Sequence, residues 1–337
     1  MSHEKPDSHP PVATGKTGVL LISLGTPERP DASSVRSFLK EFLSDRRVVE
    51  LPRLLWLPIL YGPVLALRPK RSARAYAKIW DTEKGQSPLK STAIAQAENL
   101  AERLAGQDII VDWAFTYGSP SISDQIDRLM EAGCSRILLL ALYPQYSATT
   151  SAAAYDKAFA HLQQLRAQPA LQTVRSYHDH PAYIDALANS VSDAMSRLDW
   201  APDCIIASYH GIPKHCFEAG DPYPCHARKT SRLVREKLGL EEDKFLTVFQ
   251  SRFGKAEWVQ PYAEETILRL AAEGQQKIMV VAPSFSADCL ETLEEINIEL
   301  REKFLAAGGS HFHYVPCLNA GEDGMTMLEQ IVRDHLT

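Results

Sequence analysis

The chain has 337 residues, of which 45% are hydrophobic and 23% are charged, and its formal net charge is -6. This length suits about two globular domains, and the composition is typical of a soluble protein. The negative charge disfavours sequence-independent nucleic-acid binding, which needs a basic surface, and we expect no nucleic-acid partner. Six cysteines without regular spacing are not typical of a disulfide scaffold.

Residues 1–16 are polar and proline-rich, and they lack the apolar stretch of a signal peptide. We therefore predict a disordered N-terminal lead over 1–16 and a cytoplasmic protein. The first apolar run follows at once, and the turn after it reads LGTPERPD, without a G-x-G-x-x-G pattern. The missing pyrophosphate-binding turn argues against a dinucleotide enzyme and against a nucleotide transferase.

Eight short apolar runs, rich in Val, Ile and Leu, predict β-strands. Continuous runs of this kind are typical of parallel strands that helices cover on both faces. The runs occupy residues 17–25, 109–115, 136–144, 172–178, 204–211, 245–251, 277–283 and 312–316. Amphipathic stretches between them, such as 121–133 and 261–274, predict helices.

The alternation of strands and helices predicts an α/β protein with two tandem doubly wound, Rossmann-like domains, each with a parallel sheet flanked by helices. We place the first domain at 17–170 and the second at 171–318, and we expect a C-terminal helix at 319–337 that packs back on the first domain. The halves show no strong sequence repeat. In such sheets ligands bind beyond the carboxyl ends of the strands, so the residues that follow each strand are the candidates for function.

The segment LPRLLWLPILYGPVLALRP at 51–69 leaves two interpretations open. Its uncharged run, Leu54 to Leu67, has 14 residues and contains Pro58 and Pro63, so it is too short and too broken to span a bilayer. It is either a buried, irregular part of the core or an apolar lip over a large flat ligand. The second interpretation includes contact with a membrane, which would make the cytoplasmic protein peripheral at the inner face of the membrane.

Two residues beyond strands of the second half have the chemistry of a metal or proton site. His210 ends an apolar run, and Glu291 begins a predicted helix after another run. Imidazole and carboxylate groups both accept protons and both bind metals. Glu295 and Glu299 continue the series from Glu291, and a helix places them on one face, about a turn apart. Spacing alone also fits a structural histidine and a solvated acidic helix face.

A second group of candidate ligands lies in the segment HGIPKHCFEAGDPYPCHARKTSRL. It contains two adjacent pairs, His215 with Cys216 and Cys225 with His226. A zinc site needs four converging ligands, whereas the side chains of adjacent residues tend to point apart. We therefore expect turns that shape the rim of a cleft.

Eight motifs in chain order resemble those of ferrochelatases, which insert ferrous iron into a porphyrin at the end of haem synthesis. They are LGTPE after the first strand, GQSPL at 85–89, FTYGSP at 115–120, YPQYSATT at 143–150, SYHGIP at 208–213, GDPYP at 220–224, FQSRFGKAEWVQP at 249–261 and SADCLETLEE at 286–295. The resemblance runs from about Gly18 to the C-terminus. It implies two Rossmann-like domains of the chelatase type with a porphyrin cleft between them.

The resemblance also implies the site residues. It makes His210 the proton acceptor and a metal ligand, and Glu291 the carboxylate that handles metal and protons. The expected substrate-binding residues are Leu24, Tyr117, Tyr146, Ser147, Trp258 and Glu295. The expected reaction inserts Fe(II) into protoporphyrin IX to form protohaem, with porphyrin and ferrous iron as partners of a monomer. Coproporphyrin as the substrate, or a non-catalytic tetrapyrrole-binding protein, stays open as an alternative.

The chain departs from the family pattern at three positions. Cys289 stands where many relatives have histidine, and it either packs or acts as a softer ligand. Thr116 stands where some relatives have an arginine that contacts a substrate propionate, so another residue must make that contact. Ala148 stands where animal enzymes have a cluster-ligating cysteine. We expect no iron–sulfur cluster and no other tightly bound cofactor, with Fe(II) as a substrate only.

Overall fold

The computed structural model describes residues 15–254 and 256–336. Residues 1–14, most of the predicted lead, lie outside the described residues. The described residues form two four-stranded sheets in which the paired strands are parallel. The first sheet contains β1 (Lys16–Ser23), β2 (Ile109–Phe115), β3 (Cys134–Ala141) and β4 (Ala170–Thr173), and the second contains β5 (Cys204–His210), β6 (Phe245–Gln250), β7 (Lys277–Val281) and β8 (His311–Val315).

Both sheets have the same strand order. The first is β2-β1-β3-β4 and the second is β6-β5-β7-β8, so the halves share a topology without a strong sequence repeat. In β1, Val19 and Leu21 belong to one apolar cluster, whereas Leu20 belongs to another, as expected for a strand with both faces covered. The prediction of two α/β domains with parallel sheets flanked by helices is confirmed.

Helices connect the strands and cover the sheets. The helices of the first half are α1 (Ala32–Ser44), α2 (Arg53–Ile59), α3 (Leu65–Ile79), α4 (Pro88–Arg103), α5 (Ile122–Glu131) and α6 (Ala153–Leu162). Those of the second half are α7 (Pro181–Ser196), α8 (Lys214–Glu218), α9 (Tyr223–Leu238), α10 (Ala263–Ala272), α11 (Arg301–Ala306) and α12 (Glu322–Leu336). Wider, π-helical turns occupy Leu60–Val64, Ala148–Ala152 and Glu291–Leu300, and a short 3-10 helix occupies Glu242–Lys244.

The bounds of the fourth strand differ from the prediction. The sequence suggests 172–178, but β4 spans Ala170–Thr173, and its pairing with β3 ends where Thr173 lies opposite Leu139. The chain then leaves the sheet, and the Tyr177 amide donates a hydrogen bond to the Pro144 carbonyl. This path places the Tyr177 hydroxyl 2.9 Å from the Ser286 hydroxyl, so the end of the predicted run connects the first half to the second.

Residues 51–69, the apolar segment, are helical and largely exposed. Helices α2 and α3 flank a kink at Gly62, where Pro58 and Pro63 cannot donate backbone hydrogen bonds. Leu54 is 90% exposed and Leu67 is 72% exposed, so the interpretation as a buried part of the core is wrong. The exposed large apolar residues of this segment are Leu51, Leu54, Leu55, Ile59, Tyr61 and Leu67. Within the described ranges, no helix combines the length and apolarity that crossing a membrane requires.

The C-terminal helix α12 packs against α4 of the first half and α7 of the second. Arg103 of α4 forms ion pairs with Glu322 (2.6 Å) and Glu329 (3.5 Å) of α12. In this arrangement, loops at the carboxyl ends of strands from both sheets line one cavity. The cavity therefore lies where a doubly wound topology predicts a ligand site.

Candidate active site

A cavity of about 1080 Å³ lies between the two halves. The loops that follow β1, β3, β5, β6 and β7 line it, together with α1, α3 and the π-helix Glu291–Leu300. This volume is at the upper end of the range for small-molecule pockets, so the cavity suits a large organic ligand.

His210 is the last residue of β5, and its side chain lines the cavity. Its Nδ1 atom lies 2.7 Å from the carbonyl oxygen of Gly211. Because a carbonyl oxygen only accepts hydrogen bonds, Nδ1 carries the proton and Nε2 keeps its lone pair. In this tautomer the Nε2 atom can accept a proton or bind a metal ion.

Glu291, Glu295 and Glu299 lie on a π-helix. From the sequence, their spacing of four residues predicts neighbouring turns of an α-helix. Hydrogen bonds in a π-helix span five residues, so the turn is wider and a spacing of four stays close to one turn. Glu291, Glu295 and Glu299 all line the cavity. The wide turn thus presents three carboxylates to one ligand space, and π-helical turns are frequent at functional sites.

Asp288 fixes the start of the π-helix and is 8% exposed. Its carboxylate accepts hydrogen bonds from the hydroxyls of Thr292 (3.0 Å) and Tyr314 (2.6 Å) and from the side-chain amide of Asn319 (2.7 Å). The Thr292 hydroxyl also accepts a hydrogen bond from the Cys289 amide at 3.0 Å. A buried carboxylate with several donors holds its surroundings in one arrangement. Asp288 is therefore a positioning residue, and the sequence analysis missed it.

Glu295 lies in the cavity wall close to Glu291. Burial, followed by repulsion from the Glu291 carboxylate, raises the pKa of Glu295 from 4.5 to about 7. Hydrogen bonds donated by the Ser251 hydroxyl (2.5 Å) and the Gln250 side-chain amide (3.4 Å) favour the charged form but do not outweigh burial. Glu295 therefore takes up and releases a proton near neutral pH.

Gln250, the last residue of β6, connects the strand of His210 to the π-helix. Its side-chain oxygen accepts a hydrogen bond from the Ser208 hydroxyl at 2.7 Å, and its Nε2 donates one to the Glu291 carbonyl at 2.9 Å. Ser208 lies two residues before His210 on β5. These bonds hold the end of β5 and the start of the π-helix at a fixed separation, with His210 and Glu291 in the same cavity.

A second wall of the cavity, formed by α3, is basic. Arg68, Arg71, Arg74 and Lys78 of this helix line the cavity. The Lys78 ammonium pairs with Glu294 of the π-helix at 2.7 Å, whereas Arg71 and Arg74 form no ion pair with any part of the chain that the structure describes. Unpaired guanidinium groups are well suited to bind carboxylates of a ligand. The sequence analysis missed these arginines, because nothing in the helical pattern of α3 indicates which side faces the cavity.

Leu24 and Trp258 also line the cavity. The Trp258 ring packs on Gly211, where an added Cβ would lie 3.1 Å from the ring. Gly25, directly after Leu24, has φ +111°, and an added Cβ would lie 1.7 Å from the Tyr117 carbonyl oxygen. The glycines of the LGTPE and SYHGIP motifs are therefore needed for close contacts that form the cavity wall.

Tyr117 and Tyr146 do not line the cavity. Tyr117 is fully buried, its hydroxyl donates to Asp45 at 2.9 Å, and its ring meets the Phe42 ring edge-on. Tyr146 is half-buried, with the Arg175 guanidinium 5.4 Å from its ring centre. Phe42 does line the cavity, so Tyr117 supports the wall from behind. Direct substrate contact by either tyrosine stays a prediction.

Ser147 borders the cavity but is 1% exposed. Its hydroxyl donates to the Asp221 carboxylate at 2.8 Å, and Asp221 also accepts from the amides of Ala148 (2.8 Å) and Tyr223 (3.0 Å). The motifs YPQYSATT and GDPYP therefore meet at Asp221, which joins the two halves. The Ser147 hydroxyl is engaged in this junction.

Cys289 lines the cavity beside Glu291. Burial, and then the Glu291 carboxylate, raise the pKa of the Cys289 thiol well above its usual value. The thiol is therefore protonated at neutral pH, and it packs in the wall as an uncharged group.

The fold has counterparts among solved structures. SirB from Bacillus subtilis with Fe3+ superimposes with a TM-score of 0.58 at 10% identity, over 95% of both chains. CbiX, described as the terminal enzyme for biosynthesis of siroheme in denitrifying bacteria, gives 0.52 at 11% identity over 95% of this chain and all of the other. At this level of identity the likeness shows the fold alone.

Sequence relatives identify the family. The ferrochelatase family model matches residues 16–336. The ferrochelatase of Rhizobium etli (strain CIAT 652) is 52% identical over 333 residues, covering 98% of this chain and 97% of the relative. The ferrochelatase of Rhizobium meliloti (strain 1021) is 52% identical over 329 residues, covering 97% of each chain. These matches over nearly the full length show that the chain belongs to the ferrochelatase family.

Proposed function

We propose that the chain inserts Fe(II) into protoporphyrin IX to form protohaem, with His210 as proton acceptor and Glu291 as the carboxylate that handles the metal. Membership of the ferrochelatase family makes porphyrin and iron the substrates. The reaction exchanges two pyrrole protons for one Fe(II), without redox change. One observation carries the assignment of residues: a single cavity holds an imidazole with a free lone pair, an acidic wall and a basic wall.

The proton steps use His210 and the carboxylate series. The Nε2 atom of His210 is the free acceptor, so it takes a pyrrole proton as general base. Two protons leave for each metal inserted. Glu295 exchanges a proton near neutral pH because its pKa is about 7, and Glu299 lies one turn further along the π-helix. The series therefore forms a path along which protons move away from the porphyrin.

The metal steps use the same acidic wall. Nitrogen and oxygen ligands suit Fe(II). Glu291 supplies an oxygen, and the Nε2 atom of His210 supplies a nitrogen until the metal moves to the porphyrin, when its lone pair is released to take the pyrrole proton. Clustered carboxylates raise the local concentration of a dication. Stepwise replacement of water by Glu291, and then by pyrrole nitrogens, avoids the loss of all water ligands at once.

The basic wall supports protoporphyrin as the substrate. Its two propionates lie side by side on one edge of the ring, whereas coproporphyrin has four around the ring. Arg68, Arg71 and Arg74 line the cavity from one helix, and none of them forms an ion pair with the residues that the structure describes. Guanidinium groups on one side of the cavity fit propionates on one edge of the ring better than propionates around it. In some relatives an arginine at the position of Thr116 contacts a substrate propionate. The arginines of α3 supply that contact in this chain.

The test is an anaerobic insertion assay with ferrous iron and each porphyrin. We expect faster turnover with protoporphyrin, and we expect His210→Ala and Glu291→Gln to lose insertion while still binding porphyrin. Glu98→Gln, at an exposed position on α4, serves as the control. Normal turnover by either cavity variant would refute its role. Faster turnover with coproporphyrin would favour that substrate, and porphyrin binding without any turnover would favour a tetrapyrrole-binding protein.

The exposed apolar segment supports a peripheral membrane contact. In the sequence its apolar residues are flanked by Arg53 and Lys70, a combination that favours anionic lipid surfaces. We expect a cytoplasmic monomer that cosediments with anionic vesicles and loses this binding in Leu54→Asp.

We also expect no iron–sulfur cluster, and the absorption spectrum of such a cluster in anaerobically purified protein would contradict this.

A further inference from the structure

Outside the cavity, three metal-binding side chains converge. The ligand atoms of Glu50, His215 and Cys216 all lie within 4.8 Å of one another, and no other such group of three occurs in residues 15–254 and 256–336. None of the three lines the cavity. The set differs from the two pairs that the sequence suggested, because Cys225 is exposed and the His226 ring stacks on another ring at 3.6 Å.

The adjacent residues His215 and Cys216 do not point apart as expected from their spacing. Their backbone lies in the short helix α8, where the Cys216 amide donates to the Pro213 carbonyl at 3.0 Å and the Asp221 amide donates to the Cys216 carbonyl at 3.0 Å. This tight turn brings the His215 Nε2 atom to 3.5 Å from the Cys216 sulfur. The pair therefore offers a nitrogen and a sulfur ligand on one side.

The distances fit a tetrahedral site. Metal–ligand bonds of about 2.0 Å to nitrogen or oxygen and 2.3 Å to sulfur place nitrogen about 3.5 Å from sulfur and about 3.3 Å from oxygen. The observed separations are 3.5 Å from the His215 nitrogen to the Cys216 sulfur and 3.8 Å from that nitrogen to the Glu50 carboxylate. Rotation of the exposed Glu50 and His215 side chains closes the remaining gap.

The local charges favour a cation. The Glu50 carboxylate lies within 4.8 Å of the Cys216 sulfur. Without a metal, a thiolate beside this carboxylate is unfavourable, since two negative charges would face each other. A dication reverses this balance, since it attracts Glu50 and stabilises the thiolate, and the thiol proton goes to solvent.

We propose that Glu50, His215 and Cys216 bind a divalent cation of borderline softness, such as Zn²⁺ or Co²⁺, with water as the fourth ligand. The mixture of sulfur, nitrogen and oxygen ligands suits these ions and excludes Ca²⁺ and Mg²⁺. Glu50 precedes α2 in the first half, and His215 and Cys216 follow the SYHGIP turn in the second half. The ion therefore connects the base of the apolar segment to the second half, beside the cavity and separate from the iron that is inserted.

The test is titration of the full-length protein with Co²⁺, followed by absorption spectroscopy. We expect a thiolate-to-cobalt charge-transfer band and the visible bands of a tetrahedral site, at one equivalent. Cys216→Ser should abolish the charge-transfer band, whereas Cys225→Ser and Cys289→Ser should retain it. A band that survives Cys216→Ser, a band lost in either control instead, or no band at all in the parent protein would overturn the proposal.

Two further variants keep the test valid if Cys216→Ser does not fold. Glu50 and His215 have exposed side chains, so Glu50→Gln and His215→Asn should leave the fold intact. Each should weaken Co²⁺ binding at least about tenfold, because loss of even an indirect ligand contact has an effect of that size. Unchanged affinity in both variants would also overturn the proposal.

Discussion

Replacement of Glu295 by glutamine tests whether the ionised Glu295 carboxylate lowers the stability of the folded protein. The pKa of Glu295 is about 7 in the folded protein against an ordinary value of 4.5. Between these two values the folded state binds more protons than the unfolded state, so stability falls as the pH rises through this window. At 1.36 kcal/mol per pH unit, the ionised side chain destabilises the fold by about 3 kcal/mol above pH 7 and by less than about 1 kcal/mol at pH 5.

Glutamine removes this penalty, because it stays uncharged and its side-chain oxygen still accepts the hydrogen bond from Ser251. Unfolding entropy is about 2.1 cal/mol/K per residue, which gives about 0.7 kcal/mol/K for a chain of this length. A gain of about 3 kcal/mol then raises the melting temperature by about 4 °C at pH 8. At pH 5 the expected gain is about 1 °C.

The assay is thermal unfolding at pH 5, 6.5 and 8 for the parent protein, Glu295→Gln and the exposed control Glu98→Gln. The advantage of Glu295→Gln should grow steadily with pH, while the control should show no trend. The same variant should insert iron more slowly, since it removes a proton-exchanging carboxylate from the path. An advantage that is constant with pH, or that shrinks as the pH rises, would refute the reasoning.

Three further predictions concern the walls of the cavity. Arg71→Ala should raise the KM for protoporphyrin about tenfold or more with little change in kcat, as expected when a charged contact of about 1.5–3 kcal/mol is lost; an unchanged KM would exclude Arg71 from propionate binding. Asp288→Asn should lower both the melting temperature and kcat, because hydrogen bonds at the start of the π-helix lose their charged acceptor; a variant with parental kcat would remove its positioning role. Gly25→Ala should destabilise the protein by several kcal/mol, given the overlap with the Tyr117 carbonyl, and a melting temperature within 1 °C of the parent would contradict this.

The sequence predicted most strands well because a parallel strand that is buried on both faces is a continuous run of apolar residues. An apolar run such as that of β1 needs no tertiary information to be recognised, and its carboxyl end marks the ligand side of the sheet. The family motifs added His210 and Glu291, which do lie in one cavity. The bounds of β4 differ because residues beyond Thr173 leave the sheet, and the Tyr177 amide bonds to the Pro144 carbonyl instead; a run of apolar residues does not show where pairing stops.

The remaining features depend on contacts that no local pattern encodes. An α-helix and a π-helix both stack residues four apart, so the spacing from Glu291 to Glu295 cannot distinguish them. Tyr117 follows a strand end, as a ligand-binding residue would, but its hydroxyl donates to Asp45 and its ring is covered. Glu50 lies more than 150 residues before His215 in the sequence, so only the packing of the two halves brings them together.

The separation of charge between the two walls follows from the two-domain architecture. The acidic series belongs to the π-helix after β7, and the arginines belong to α3 of the first half. If they were adjacent, guanidinium and carboxylate groups would neutralise each other, and neither would remain free for a ligand. Lys78 and Glu294 form such a pair at 2.7 Å, with Glu294 nearly buried, and this contact joins the walls at one position. Arg68, Arg71 and Arg74 of α3 form no ion pair with a carboxylate among the described residues, so these guanidinium groups stay free for propionates while Glu291, Glu295 and Glu299 face the space that a dication enters.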